Sequence, residues 1–431
     1  MAASGSAVGL GNIWGFPTNT ASNGGAAFLF TYLILAFALG YPALMAELII
    51  GRHTRSNAVA ALISISSGKK SQFLALAIGF LGILTVSLIL SFYAIVSGWM
   101  MAFFLDPLSR VLGLASLSQW LTTDAEIRNA LFVIIFMVLT VLIVTAGVKG
   151  GIEKWASRLM PSLVGILLLL ILYVFTLPEA MDGLRAYLLP DISRVTDPQL
   201  LVNAMGQAFF SLSLGVGTML VYGSYISKDE NLPVVGGLVA LLDVGVAVLA
   251  GLLILPAMYV AQESGVQIYD AAGELIAGPS LIVSVLPALF NNMGPIGLLV
   301  AAAFFALMTI ASLTSSISML EVPVAYSVEN KGIPRPKAAI TVGAIITLIS
   351  LVIVFNFDPL FEMVRIFTTE RSQPLLSLFI CIFAVWIWRR SEILDEIRQG
   401  SPEVEQGIFW KIWPFYVRFI CPVAILAVYF Q

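Results

Sequence analysis

Residues 206–225 read GQAFFSLSLGVGTMLVYGSY, and within this apolar run the segment SLSLGVG at residues 211–217 mixes serine with glycine. Glycine weakens a helix interior by about 1 kcal/mol relative to alanine. A second run has the same character, because residues 5–12 read GSAVGLGN. Each segment fits either close helix packing through small residues or a helix that is interrupted inside a membrane.

The composition places both runs in a membrane protein. Of the 431 residues, 59% are hydrophobic and 11% are charged, whereas soluble proteins carry about 25% charged residues. This excludes an ordinary soluble enzyme, a nucleic-acid-binding protein and a disordered chain. The single histidine, His53, and two cysteines in apolar runs argue against a histidine-built metal site, a Ser-His triad and a disulfide framework.

Eleven apolar runs are candidates for membrane-spanning helices, which need about 20 residues each. We number them as spans 1 to 11, and they lie near residues 2–21, 27–50, 73–104, 129–147, 160–177, 200–226, 233–261, 294–327, 338–355, 361–388 and 408–430. The loops after spans 2, 4, 8 and 10 are rich in lysine and arginine, which predicts that they are cytoplasmic. The N-terminus is then cytoplasmic and the C-terminus extracytoplasmic. The first run lacks the basic start of a signal peptide.

The two interrupted runs are spans 1 and 6, and they lie five spans apart. This spacing is typical of an inverted repeat with a binding site between two broken helices at the membrane midplane. The predicted units are residues 1–178 (first repeat), 179–199 (extracellular loop), 200–390 (second repeat) and 391–431 (a cytoplasmic loop and span 11).

Several polar residues lie at membrane depth. One helix face of span 8 carries Ala311, Thr314, Ser315, Ser318 and Met319. Its hydroxyls could coordinate a hard cation or bond back to carbonyls of their own helix.

Acidic residues within the spans need partners as well. Asp243 lies inside span 7, where a carboxylate costs at least about 2.5 kcal/mol. We expect it to face the interior and to meet a cation or a donor. For Glu47 and Glu321 we favour a structural role in capping backbone N–H groups. The Tyr93 hydroxyl also needs a partner at this depth.

Four motifs carry a resemblance to a known family. They are ASGSAVGLGNIWGFP from Ala3, followed by NGGAAF; GQAFFSLSLGVGTMLVYGSY from Gly206; GGIEKWASRLMP from Gly150; and LTSSISMLEVPVAY from Leu313. With them the chain resembles the neurotransmitter:sodium symporter family over essentially its whole length. The resemblance implies an all-α polytopic membrane protein of about 11 transmembrane helices, with inverted five-helix repeats and broken helices 1 and 6, in a bacterial inner membrane.

The resemblance also implies the binding residues. A first sodium ion would bind Ala7, Asn12, Ser211 and Asp243 together with the substrate carboxylate. A second would bind the carbonyls of Gly5, Val8 and Ala311 and the hydroxyls of Thr314 and Ser315. The substrate would contact Ser6, Ala7, Leu10, Gly11, Ile89, Tyr93, Phe210, Ser211, Ser213, Val216, Ser315 and Met319. No organic cofactor is expected.

Asp243 stands where asparagine is common in this family. In chloride-dependent members, the equivalents of Tyr32 and Gln207 help to hold a chloride ion near the first sodium. A fixed carboxylate at Asp243 could supply that negative charge, and Ala247 is not the serine of the chloride-dependent members. We therefore expect transport without chloride.

The gates depart from the family pattern. The outer-gate arginine of span 1 is Gly15, and Arg365 stands at the position of its usual aspartate partner in span 10. Arg365 could cover the substrate or pair with Glu362 or Glu370. Glu329 matches the acidic partner of an inner-gate arginine that precedes span 1 in the family. Since Met1 falls inside span 1, either the natural start lies upstream, which we favour, or the inner latch is absent.

We therefore expect a transporter and not an enzyme: a sodium-coupled symporter that imports a small amino acid or a related zwitterion by alternating access. Its partners would be the substrate and the lipid bilayer, with no nucleic acid, and both a monomer and a homodimer remain open. The alternatives are a non-transporting binding or sensing paralogue and a symporter for a substrate without a carboxylate.

Overall fold

A computed structural model describes residues 8–148, 154–189, 194–263, 265–269, 275, 281 and 285–430. Regular structure in these ranges is helical, apart from an isolated antiparallel bridge between Tyr269 and Leu275. The helices are α1 (Phe16–Ser22), α2 (Ala26–Thr54), α3 (Ala58–Ser64), α4 (Lys69–Val111), α5 (Ala115–Thr122), α6 (Glu126–Thr145), α7 (Lys154–Val174), α8 (Ala180–Leu188), α9 (Pro198–Ser211), α10 (Thr218–Tyr225), α11 (Leu232–Glu263), α12 (Leu286–Asn292), α13 (Pro295–Lys331), α14 (Arg335–Val354), α15 (Phe357–Ile387), α16 (Arg390–Arg398) and α17 (Ile408–Tyr429).

Nine helices in the described ranges are long and apolar enough to cross a membrane: α2, α4, α6, α7, α11, α13, α14, α15 and α17. They correspond to the nine predicted spans other than spans 1 and 6. Most extend a few residues beyond the predicted bounds, because the polar residues at their ends still take part in the helix. The fold is thus an all-α polytopic membrane fold.

Span 6 is broken where its glycines and serines predicted an interruption. Helix α9 ends at Ser211 and α10 begins at Thr218. Between them Ser213, Gly215 and Gly217 have φ values of 55°, 79° and 82°. These are left-handed conformations, which a right-handed helix cannot contain and which glycine adopts most readily. The Cβ of any other residue at 215 would lie 2.4 Å from the Gln373 carbonyl oxygen, so this position requires glycine.

Span 1 shows the same behaviour in its described part. Val8 and Gly9 are not helical, and a π-helical turn at Gly11–Gly15 leads directly into α1. The remainder of the predicted interruption, residues 5–7, lies outside the described residues.

The described helices place the loops at two ends of the bundle. We call the end that carries residues 55–57, 332–334 and 388–407 the basic end, because all four arginines of these loops lie there. The end that carries residues 23–25, 112–125 and 355–356 is called the acidic end, because its loops have no lysine or arginine and carry Asp124. Between them lies a large buried apolar core with two smaller buried clusters beside it. Large apolar side chains such as Leu172 and Leu299 are exposed on the outside of the bundle, as expected for a surface that faces lipid.

A buried ion pair fixes the basic end. Arg52 near the end of α2 donates from Nε to Glu396 Oε1 of α16 at 2.7 Å, and from Nη1 to the Glu230 carbonyl at 2.7 Å. His53 lies 3.2 Å from the other Glu396 oxygen. Burial opposes ionisation of Glu396, but the hydrogen bonds with His53 and Arg52 outweigh it and hold the Glu396 pKa below its ordinary value.

Candidate functional site

The two chain interruptions meet at a buried polar cluster of Asn12, Ser211 and Asp243. Asn12 Nδ2 donates to Asp243 Oδ1 at 2.7 Å and lies 2.9 Å from Ser211 Oγ. The Ser211 hydroxyl lies 2.9 and 3.1 Å from the two Asp243 carboxylate oxygens. Asp243 is fully buried, and it faces the interior and meets donors there, as the sequence predicted.

The donor set of this cluster suits a hard monovalent cation. It offers carboxylate and hydroxyl oxygens around one formal charge. The Asn12 amide turns its nitrogen toward them, and its Oδ1 accepts from the Gly9 N–H at 2.9 Å. No cluster of three or more His, Cys, Asp or Glu residues that could hold a transition metal occurs in the described ranges. Three of the four residues predicted for the first sodium site thus lie in contact. The fourth, Ala7, lies outside the described residues.

A second oxygen cluster lies where α13 passes the start of the described chain. The Val8 carbonyl oxygen lies 3.4 Å from Thr314 Oγ1 and 3.2 Å from Ser315 Oγ. Thr314 Oγ1 also donates to the Ala311 carbonyl at 2.9 Å. The Thr314 hydroxyl therefore bonds back to its own helix and also faces the interrupted span, whereas the Ser315 hydroxyl donates to the interrupted span. The structure brings together Val8, Ala311, Thr314 and Ser315, while Gly5 is outside the described residues.

The predicted carboxylate site lies between these clusters. The Tyr93 hydroxyl of α4 accepts a hydrogen bond from the Leu10 N–H at 2.8 Å. A Cβ at Gly9 would lie 1.9 Å from Ser315 Oγ and 2.7 Å from the Tyr93 hydroxyl. The interrupted backbone thus passes directly against α4 and α13, and only glycine permits this approach. Tyr93 has the partner that its burial requires.

The residues predicted to line the side-chain pocket are mostly buried. Ile89, Ser213, Val216 and Met319 are all buried. Phe210 is half-buried, and its ring lies 3.2 Å from the position of a Cβ at Gly11. Ser6 and Ala7, the two remaining substrate candidates, lie outside the described residues.

Above Phe210 a cavity of about 230 Å³ opens toward the acidic end. Gly15 lines it, and a Cβ at Gly15 would lie 3.1 Å from Gln207 Oε1. Gln207 Nε2 donates to the Gly11 carbonyl at 2.7 Å, and Gln207 Oε1 accepts from Asn19 at 3.0 Å. This amide network ties α9 to span 1 beside Gly15. The sequence reading missed the network, because a Gln and an Asn 188 positions apart carry no local signal.

The opposite wall of this cavity carries Arg365. Its guanidinium pairs with Glu362 Oε1 at 2.5 Å and with Glu370 Oε1 at 3.0 Å. Of the alternatives left open by the sequence, Arg365 thus makes both pairs within α15. The two walls of the cavity are therefore not joined by the arginine–aspartate pair typical of the family.

The other singled-out carboxylates bind different partners. Glu47 Oε1 accepts from the Gly215 N–H at 2.7 Å, so it caps backbone at the break of span 6 as expected. Glu321 instead binds the Tyr225 hydroxyl at 2.8 Å and the guanidinium of Arg335, so the expectation of backbone capping is wrong there. A cationic partner on the next helix satisfies its charge more fully than backbone N–H groups would.

Glu329, the predicted inner-gate residue, lies at the basic end. One carboxylate oxygen, Oε2, accepts from both the backbone N–H and the side-chain amide of Asn57, each at 2.7 Å. Glu329 therefore joins α13 to the start of α3. The family's arginine partner would precede the described residues.

The comparisons with known proteins agree with this geometry. The profile of the Sodium:neurotransmitter symporter family matches residues 1–129 and 111–431. A Bacillus subtilis protein named as an uncharacterized sodium-dependent transporter, YhdH, is 34% identical over 100% of this chain and 94% of its own length. The sodium- and chloride-dependent taurine transporter of Bos taurus is 28% identical over 92% of this chain and 71% of its own.

A solved structure is similar as well. The crystal structure of MhsT in complex with L-phenylalanine superimposes with a TM-score of 0.87 at 36% identity, covering 100% of this chain and 96% of that one. Fold and site thus define a sodium-coupled transporter of many membrane spans, and not an enzyme. The chain belongs to the sodium:neurotransmitter symporter family, and its fold is that of the leucine-transporter-like proteins.

Proposed function

We propose that the protein is a symporter that uses two sodium ions to import a small amino acid by alternating access, without a requirement for chloride. The observation that carries the proposal is the meeting of three features at the two chain interruptions. These are the cluster around Asp243, the oxygens around Val8, and the Leu10 N–H beside the Tyr93 hydroxyl.

An amino acid suits this site for a chemical reason. Its carboxylate would lie at backbone N–H groups near Leu10 and Gly11, with the Tyr93 hydroxyl turning to donate to it. The same carboxylate would complete the oxygen shell of the sodium beside Asp243, which couples ion and substrate through a shared ligand. The buried apolar residues Ile89, Val216 and Met319 favour an apolar side chain. The name of the MhsT complex makes L-phenylalanine the first substrate to test.

Chloride independence is supported by the surroundings of Asp243. A chloride ion beside its carboxylate would meet a like charge at short range in a buried site. Both polar atoms of the Gln207 amide are already bonded to Gly11 and Asn19. Ala247 offers no hydroxyl. The carboxylate itself would balance the charge of the sodium ion.

We further propose that the basic end faces the cytoplasm of a bacterial cell, because lysine and arginine collect in cytoplasmic loops. The N-terminus is then inside and the C-terminus outside. The repeats would be residues 1–178 and 200–390, joined by the loop 179–199 and followed by residues 391–431. Gly15 and Arg365 would belong to the outer gate and Glu329 to the inner gate.

The test is uptake of labelled amino acids into proteoliposomes, with L-phenylalanine first. We expect accumulation when an inward sodium gradient is imposed, no accumulation with potassium in place of sodium, and unchanged uptake when gluconate replaces chloride. Ser315→Ala should weaken sodium dependence, whereas Ser312→Ala should not, because the Ser312 hydroxyl donates to the Thr309 carbonyl of its own helix. Sodium-dependent binding without accumulation would reject transport, and uptake that stops without chloride would reject chloride independence.

A further inference from the structure

A second cavity lies at the acidic end, away from the transport site. It has a volume of about 860 Å³, within the range of about 300–1,000 Å³ that is usual for ligand sites. Its walls are the outer part of α4 with Trp99 and Phe103, the start of α6, and the turn at residues 354–359. The transport mechanism assigns no role to these residues.

The cavity contains a buried arginine with an incomplete set of partners. Arg128 is 2% exposed. Its Nε donates to the Thr123 carbonyl at 3.0 Å, and its guanidinium carbon lies 5.9 Å from the centre of the Phe103 ring. Nη1 is buried and has no hydrogen-bond partner in the described part of the chain. No carboxylate of the described ranges comes within 4.0 Å of this guanidinium, although other arginines of the chain form such pairs.

A buried cation without a directly paired anion is costly. The charge of Asp124 acts on this guanidinium, but the two groups form no ion pair in the described ranges. An arginine fork matches the oxygens of a phosphate or a carboxylate, so the missing partner is an oxyanion. The protein holds Arg128 in place through Thr123 and leaves Nη1 of the guanidinium without a hydrogen-bond partner in the described part of the chain, so Nη1 is the atom that such a group would bind.

The rim of the same cavity has the opposite charge. Asp124, Glu126 and Asp358 all line it and are exposed. Asp124 is oriented by Asn129, whose Nδ2 donates to Asp124 Oδ1 at 3.1 Å. One arginine inside and three carboxylates outside disfavour a simple anion. They suit a zwitterion whose oxyanion lies inward and whose ammonium group lies at the rim.

The position of the cavity indicates which kind of zwitterion it would bind. Ile127, beside Arg128, is 76% exposed, and Phe355 on the facing turn is 52% exposed. Both are large apolar side chains at the end of membrane-spanning helices, where lipid headgroups lie. A ligand at Arg128 therefore has an apolar surface directly beside it for acyl chains. Basic pockets between membrane helices are known to bind the headgroups of anionic lipids. The carboxylates at this rim would select a headgroup that also carries a positive charge.

We propose that this cavity binds the headgroup of a zwitterionic phospholipid with a primary ammonium, phosphatidylethanolamine. The phosphate lies at Arg128, and the ammonium lies among Asp124, Glu126 and Asp358. The site stabilises the junction of α4, α6 and the turn between α14 and α15.

The test is native mass spectrometry of the purified full chain with phosphatidylethanolamine and phosphatidylglycerol added at equal concentrations. We expect one phosphatidylethanolamine to be retained in preference to phosphatidylglycerol. Arg128→Gln should weaken this binding about tenfold or more, since hydrogen bonds to charged groups are lost. Arg110→Gln is the matched control, because Arg110 is an arginine of the same end that already pairs with Asp106. It should leave lipid binding unchanged.

A second variant tests the proposal even if the protein misfolds when the buried Arg128 is replaced. Glu126→Gln combined with Asp358→Asn alters only exposed residues and should remove the preference for phosphatidylethanolamine over phosphatidylglycerol. Equal retention of the two lipids by the unaltered protein would overturn the proposal, as would undiminished binding by a folded Arg128→Gln variant. Displacement of the lipid by free phosphoethanolamine at equal concentration would assign the cavity to a soluble zwitterion instead of a lipid.

Discussion

Replacing Asp243 by asparagine tests the electrostatic core of the transport site. The substitution keeps the shape and one carbonyl oxygen, so Asn12 Nδ2, now 2.7 Å from Asp243 Oδ1, retains an acceptor. It removes the only formal negative charge of the Asn12–Ser211–Asp243 cluster. Two unit charges 4 Å apart interact by about 4 kcal/mol at an effective dielectric constant of 20. Since about 1.4 kcal/mol is a tenfold change, we expect sodium affinity to fall on the order of 100- to 1,000-fold.

Stability without sodium should behave differently. A buried carboxylate without a bound cation costs free energy, so Asp243→Asn should be at least as stable as the unaltered protein in sodium-free buffer. The melting temperature, measured over a range of sodium concentrations, separates the two effects, because a ligand raises stability in proportion to the logarithm of its concentration over Kd.

The control is Asp182→Asn, which removes a carboxylate that is 57% exposed and pairs with Arg185 on α8. It should leave the sodium dependence unchanged. A sodium Kd for Asp243→Asn within about threefold of the unaltered value would refute the reasoning, because it would mean that the carboxylate does not contribute its charge to the ion site.

Three further predictions concern other parts of the molecule. Tyr93→Phe removes the hydroxyl at the Leu10 N–H and should weaken substrate binding about tenfold, while sodium alone still stabilises the protein. If the variant lost sodium stabilisation as well as substrate binding, a specific role of Tyr93 in substrate binding would be contradicted. Gly215→Ala should lower the free energy of unfolding by about 1–3 kcal/mol, because Gly215 has a φ of 79° and an added Cβ would contact a carbonyl oxygen. Gly245→Ala should not lower it, because the space around Gly245 is open, and chemical unfolding of both variants measures the difference. The third prediction concerns Glu396, whose pKa is lowered in the fold, so that its contribution to stability is present at neutral pH and is lost as the pH falls through that pKa. Glu396→Gln should therefore reduce the loss of stability at acidic pH when the free energy of unfolding is measured against pH. An unchanged loss of stability in the variant would exclude Glu396 as its source.

The sequence alone was sufficient for the class of fold. Long apolar runs leave a chain no alternative to membrane-spanning helices, because unpaired backbone groups are not tolerated in lipid. The glycines of span 6 predicted where its helix is interrupted, and this signal is also local. Gly215 and Gly217 adopt left-handed conformations that a regular helix excludes. The need for a partner at Asp243 also follows from its depth alone.

Partners that are distant in sequence were decided by the tertiary structure. The pairing of Glu321 with Arg335, and the network of Gln207 with Asn19, depend on which helices pack together. Such polar contacts satisfy groups from different helices, so no periodicity within one helix encodes them.

What the sequence by itself determined is therefore local. It set which segments span the membrane, where two of them break, and which buried charge needs compensation, because burial in lipid acts on each residue separately. The tertiary structure decided how the breaks face each other, so that Asn12, Ser211 and Asp243 form one cluster. It also left Arg128 buried beside a cavity with a nitrogen unpaired in the described chain, because only the packed helices define which atoms remain without a partner.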